Sequence, residues 1–146
     1  MGTIYFYKVN EDYGCFSNFS PHPFVLDGKR WPTSEHYFQA QKFFPTTPEY
    51  AEQIRLTLSP MKAANMGRSR KHPIRSDWEE QKDIVMKKAV LAKFQTHKDI
   101  RDTLISTGES ILVEKTTSDF YWGCGRDGTG LNKLGLILME IRANLK

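Results

Sequence analysis

The 146-residue chain predicts an α+β fold, mostly helical with a few short strands, as a single domain over residues 1–146. Three observations carry that expectation. Short strand-like runs come first, several helical stretches follow, and one strand and one helix come last, unlike the repeated βαβ order of a doubly wound sheet. Asp27-Gly28 between Pro23-Phe24-Val25-Leu26 and Lys29-Arg30-Trp31 is a strong two-residue hairpin signal. Leu131, Leu134, Leu138, Ile141 and Leu145 recur at heptad-like intervals, which predicts a final helix packed by one apolar stripe.

In order, Ile4-Tyr5-Phe6-Tyr7 reads as the first strand, and the hairpin follows. Pro32 closes the hairpin's second strand, and Thr33 or Ser34 can cap the helix after it. Pro45 and Pro48 end that helix, and Glu49 to Leu58 can form another. Ser59-Pro60 supplies a cap and a first-turn proline for a short helix over Met61 to Met66, with Gly67 as its stop. Asp77-Trp78-Glu79-Glu80 has the form of a capping box that opens a long helix to about Gln95, burying Trp78, Val85, Ala89 and Ala92. Lys98 to Ser106 makes a further helix ended by Gly108, and Ile111-Leu112-Val113-Glu114 a strand.

The length allows about two thirds of the unfolded surface to be buried. At 39% hydrophobic and 26% charged the composition is that of an ordinary globular protein, with aromatics slightly enriched at 12%, and flat side chains suit the stacking of heterocycles. A net charge of +4 attracts phosphate-bearing partners mildly. Its clearest basic cluster is Arg68, Arg70, Lys71, His72 and Arg75, while Lys82, Lys87, Lys88 and Lys93 suit a solvated helix face. Cys15 and Cys124 make no metal-ligand spacing with the four histidines, and no CxxC occurs, so neither a metal nor another cofactor is expected. The first residues lack the apolar core of a signal peptide and do not fit a myristoylation signal, and no apolar run suffices for a membrane span. A cytoplasmic, reducing environment with two free thiols and no membrane partner is therefore expected.

The run Trp31-Pro32-Thr33-Ser34-Glu35-His36-Tyr37-Phe38-Gln39-Ala40-Gln41-Lys42-Phe43 carries the chemistry. At helical spacing Glu35, Gln39 and Lys42 fall within a sector of about 60°. One flank thus holds a proton carrier and an amine, while His36, Ala40, Phe43 and Phe44 project elsewhere as core anchors. The same spacing also suits a solvated face, and an acid in the first turn complements the helix dipole without further purpose.

Before the last helix, Gly123, Gly125 and Gly128 formally match GxGxxG, but the loop does not leave a strand directly and no strand follows the helix. What remains is a set of unobstructed backbone amides at a helix N-terminus, able to approach phosphate or sugar, or else a surface turn. Asp119-Phe120-Tyr121-Trp122 places an acid and three aromatics just ahead of it, with Trp122 as the candidate to line a site. Asn18, within Gly14-Cys15-Phe16-Ser17-Asn18-Phe19, equally suits a turn.

Together these residues resemble the NADAR, or YbiA-like, family of N-glycosidases. The resemblance rests on Gly14-x-Phe16-Ser17-Asn18-Phe19, the thirteen-residue run from Trp31 to Phe43, and Ser59-Pro60 with Met66-Gly67-Arg68. Trp78, Tyr121-Trp122-Gly123 and Asn132-x-Leu134-Gly135 complete it. It implies hydrolysis of an N-glycosidic bond between ribose and an exocyclic nitrogen. Two partner groups follow: ribosyl-phosphate small molecules, the ribosylamino-pyrimidines of early riboflavin synthesis, and ADP-ribose-bearing ones, including ADP-ribose on guanine in DNA.

In both, the anomeric carbon bears an amine outside the heterocycle, so the sugar opens readily to an imine that a neutral Lys42 could attack, with Glu35 as acid/base. The resemblance further implies that Gln39 orients the sugar and that Asp119 polarises ribose hydroxyls or serves as a second acid. By the same resemblance Asn18, Gly123, Gly125 and Asn132 hold sugar or phosphate, Arg68 meets phosphate, and Trp78 or Trp122 stacks the base. In a rival mechanism Glu35 activates water against an oxocarbenium-like carbon, with Lys42 an electrostatic helper. A non-catalytic reader of ADP-ribose or nucleotide phosphate is the alternative function, and a basic nucleic-acid module a third.

Overall fold

Chain chemistry at Asp27-Gly28 sets the first supersecondary unit. Both residues take positive φ (55° and 77°), as a two-residue hairpin turn requires, and glycine bears the second at no steric cost. Phe24–Leu26 (β2) and Lys29–Trp31 (β3) accordingly pair antiparallel, with Phe24 opposite Trp31. A computed structural model describes residues 2–145 of the chain. Its contacts divide into two units, Pro21–Lys93 and Met1–Ser20 with Phe94–Lys146.

Within Pro21–Lys93, β2 and β3 lead into Ser34–Gln41 (α1), followed by Pro48–Leu56 (α2), Pro60–Arg68 (α3) and the first part of Trp78–Thr96 (α4). Thr33 is the N-cap of α1: its hydroxyl oxygen accepts from the His36 amide at 3.1 Å. That hydroxyl also lies 2.8 Å from His36 Nδ1, and His36 Nε2 lies 3.0 Å from the Thr57 carbonyl. The fully buried imidazole is thus held at both nitrogens, and its burial keeps its pKa below the ordinary histidine value. Every residue from Ser34 to Ala40 is buried, because α1 packs against α2, α3 and β3. Trp31 and Tyr37 meet edge to face at 4.9 Å, and Phe43 and Tyr50 at 4.7 Å. Phe44, expected as a further anchor, is instead half exposed, since the chain leaves the helix at Gln41.

Ser59 caps as its sequence position predicts and Thr33, one of the two candidates, caps α1, but several boundaries differ. The second helix starts at Pro48 and ends at Leu56, so Leu58 is exposed. The third runs through Gly67 to Arg68, so Gly67 is an interior helical residue and not a stop. On α4 Val85, Met86, Ala89 and Val90 are buried, while Ala92 is only half-buried.

Within the other unit, Thr3–Phe6 (β1) pairs parallel with Ile111–Glu114 (β4), one residue earlier than the sequence run suggested. A 3-10 turn at Gly14–Phe16, the end of α4, Lys98–Ser106 (α5) and Lys133–Leu145 (α6) complete it. Phe16 stands between Phe6 and Phe94 with ring centroids 5.7 and 6.1 Å away, and Leu104, Leu112, Leu134, Leu138 and Ile141 are buried nearly completely. Leu131 is exposed and precedes α6, because the loop before the helix places Ile137 and Arg142 on the buried side.

Asn132 explains how β4 is finished on its other edge. At φ 54° its side-chain oxygen accepts from the Glu114 amide at 3.0 Å and its amide nitrogen donates to the Leu112 carbonyl at 2.9 Å. A side chain thereby replaces a third strand. Asn132→Ala would leave both backbone groups part-buried without this partner, so it should lower unfolding stability by about 2 kcal/mol in denaturant titration.

Candidate active site

Burial turns the polar flank of α1 from an ordinary helix surface into a reactive one. Glu35 is 9% and Gln39 7% exposed, so neither belongs to a solvated face. The two are joined: Gln39 Nε2 donates to Glu35 Oε2 at 2.7 Å, one helical turn apart. Gln39 Oε1 is buried without a hydrogen-bond partner among the described residues. It lies against Gly67 of α3, where an added Cβ would come within 1.9 Å of it. A side chain there would displace the Gln39 carboxamide, which accounts for a glycine inside a helix despite its cost in propensity.

Lys42 follows α1 with its backbone still helical (φ −57°, ψ −32°), which keeps its side chain on the flank of Glu35. Its carbonyl accepts from the Arg75 amide at 2.7 Å, and Arg75 is in turn held by Asp77. Nζ lies 3.5 Å from the Gly67 carbonyl and 5.7 Å from the centre of the Phe38 ring. Burial is the main cause that brings this amine down from its ordinary value to about 8. Arg70, Arg68 and Lys82 push in the same direction, and Glu35 opposes them. About a tenth of such an amine is neutral at pH 7, against well under a thousandth for a solvated lysine. A neutral amine next to a buried carboxyl-amide pair can serve as nucleophile and proton carrier.

Of the other expected residues, Arg68 is exposed, and its guanidinium donates to Asn65 Oδ1 at 2.6 Å. Trp78 is 6% exposed and packs on Phe38 with ring centres 5.1 Å apart, so it is a core residue that screens the flank carrying Lys42. By sequence Arg70 is only one charge in a basic cluster. Its Nη1 donates to the Gly67 carbonyl at 2.8 Å, which brings it to the same acceptor as Lys42. Sequence spacing gives no signal for that convergence, apart from a glycine in a helical run.

Asn18, Asp119, Trp122, Gly123, Gly125 and Asn132 belong to the other unit. Asn18 is buried at 8% exposure, and Trp122 is half-buried with Tyr121 edge-on at 4.8 Å. Asp119 Oδ1 accepts from the Tyr121 and Trp122 amides at 3.0 and 2.8 Å, so this carboxylate shapes the loop. The glycine segment is not a row of open amides. Cys124, Gly125, Gly128 and Gly130 donate to Glu114 O, Thr116 Oγ1, Gly125 O and Cys124 O, and the amides of Lys133 and Leu134 are taken by Tyr121 O and Trp122 O. Gly123 is required by packing, since a Cβ would fall 2.4 Å from Thr116, and Gly125 by both its φ of 72° and the Phe120 ring. Asn132 likewise spends both ends of its amide on β4. A cavity of about 770 Å³ does open beside the loop, lined among others by Tyr5, Tyr7, Lys115, Gly125 and Arg126.

The lowered amine is directly measurable. Competitive acylation of the ligand-free protein, read by peptide mass spectrometry, should show Lys42 half-reactive near pH 8, about two pH units below a free lysine side chain.

Comparison with known proteins bears on the family and the fold. The chain is 53% identical over 142 residues to N-glycosidase YbiA of Escherichia coli (strain K12), covering 97% of this chain and 88% of that protein. The NMR structure of E. coli YbiA superposes with a TM-score of 0.90 at 52% identity, covering 99% of this chain and 84% of that one. A riboflavin biosynthesis protein of Zea mays, PYRR, chloroplastic, is 41% identical over 155 residues, 97% of this chain but 25% of that protein. The α+β architecture, with six helices and short strands among the described residues, is therefore that of the YbiA structure. With the NADAR domain model matching residues 5–146, the chain belongs to the NADAR domain family.

Proposed function

We propose that this chain is an N-glycosidase that hydrolyses the bond between ribose and an exocyclic amine, with phosphorylated ribosylamino-pyrimidines of riboflavin synthesis as its substrates. The observation that carries this reading is the desolvated amine of Lys42 on the same helical flank as the buried Glu35–Gln39 pair. The N-glycosidase name of the E. coli relative and the riboflavin name of the maize relative support it.

In this reaction the furanose opens to an imine, and the neutral Lys42 amine adds to its anomeric carbon. The base amine then departs with a proton from Glu35, leaving a Lys42 Schiff base. Water, deprotonated by Glu35, adds to that carbon. The bond to Lys42 breaks, releasing the sugar as its aldehyde and restoring the amine. Gln39 holds the Glu35 carboxyl in place, and the exposed Arg68 meets phosphate. ADP-ribose on the amino group of guanine presents the same bond, and the basic cluster from Arg68 to Arg75 suits its phosphates. A reader of ADP-ribose would have no use for a buried carboxyl and a depressed amine together.

Turnover should be compared on a ribosylamino-pyrimidine phosphate and on ADP-ribosylated guanine, with faster release expected from the first. Glu35→Ala and Lys42→Ala should each lose at least about 100-fold in kcat with the fold intact by circular dichroism. Borohydride added during turnover should reduce the Schiff base to a stable adduct on Lys42; activity without any adduct would leave direct attack by water. Because the free amine is the active form, kcat/KM should rise as pH increases through about 8.

A further inference from the structure

Gly67 touches both halves of the site. Its carbonyl accepts from Arg70 Nη1 at 2.8 Å and lies 3.5 Å from Lys42 Nζ. Its bare Cα faces the Gln39 side chain, whose other end is bonded to Glu35. The two contacts with the carbonyl are unequal. Arg70 holds a short, charge-assisted bond, while the lysine stands at the outer limit of hydrogen-bond length.

We propose that Arg70 and Gly67 are positioning residues for the reaction. Arg70 occupies the acceptor that would otherwise bind Lys42 as an ammonium ion, and the absent side chain of Gly67 seats Gln39 against Glu35. This rests on the reading of Lys42 as nucleophile. An amine held only loosely by this carbonyl and set beside a fixed guanidinium gives up its proton more readily, and its lone pair stays available for attack. Charged groups reach Lys42 from every element packed around it: Glu35 from α1, Arg68 from α3, Arg70 from the segment after α3 and Lys82 from α4. Among these Arg70 acts most strongly, whereas Arg68 is turned to Asn65. Phe38, one turn back on α1, adds an apolar wall.

The test is Arg70→Gln, an exposed position where folding is not at stake, alongside Arg70→Lys. Competitive acylation of the ligand-free proteins with acetic anhydride should show the Lys42 midpoint about one pH unit higher in R70Q and close to wild type in R70K. The rise of kcat/KM with pH on the ribosylamino-pyrimidine phosphate should move by the same amount. An unchanged midpoint in R70Q overturns the role of Arg70. If K42A retains full turnover, the nucleophile reading fails, yet the acylation midpoint still reports what Arg70 does to the amine.

For Gly67, the added methyl of Gly67→Ala should lower kcat at least about tenfold with little change in KM. Its loss of melting temperature should disappear in the G67A/Q39A double variant, where the displaced side chain is gone. An equal loss with and without Gln39, or wild-type turnover in G67A, would show that Gly67 does not seat this pair.

Discussion

The close approach of α3 to α1 at Gly67 is the constraint on which the site depends. A single methyl group there would overlap the Gln39 carboxamide, so the helices pack this closely with Gln39 in its place only because no side chain stands between them. At that distance the Gly67 carbonyl, which accepts from Arg70, comes within reach of Lys42. Separating the helices enough to admit a Cβ would return water to the amine, and with water most of the cause of its lowered pKa would vanish.

A helix buried on nearly every side would ordinarily be apolar all round. The first helix instead carries Ser34, Glu35, His36 and Gln39 inside, and each observed contact offsets the desolvation of a polar group. His36 is satisfied through Thr33 and the Thr57 carbonyl, and Glu35 receives the Gln39 amide. The remaining Gln39 oxygen, left without a hydrogen-bond partner among the described residues, is the kind of stored cost that active sites carry. Around this core the segment after α3 is pinned by Tyr50 stacked on His72, by Arg75 on the Lys42 carbonyl and by Thr47 on the Pro73 carbonyl. That pinning holds the basic cluster beside Lys42.

The glycine-rich segment illustrates how one pattern can serve two physical purposes. Glycines at a helix N-terminus suggest amides offered to an anion. Here most of those amides are spent internally, Gly123 is demanded by close packing, and Asn132 closes the open edge of β4. Asp119 shapes the same loop by accepting two backbone amides. Composition alone does not separate a glycine that approaches a ligand from one that approaches its own chain.

The amino-acid sequence by itself determined the local features: the Asp27-Gly28 hairpin, the Thr33 and Ser59 caps, the shared flank of Glu35, Gln39 and Lys42, and membership in a family. All but the last depend on residues within a few positions of one another, where backbone geometry is nearly fixed. Tertiary structure alone decided that the flank is dry, that Trp78 is a wall against Phe38, that Gly67 continues a helix, and that Arg70 meets Lys42 at one carbonyl. Lys42 and Gly67 lie 25 residues apart, and desolvation depends on everything packed between and around them. Periodicity along one helix specifies which side chains share a face, but the pKa of an amine on that face is set by what the rest of the fold brings against it.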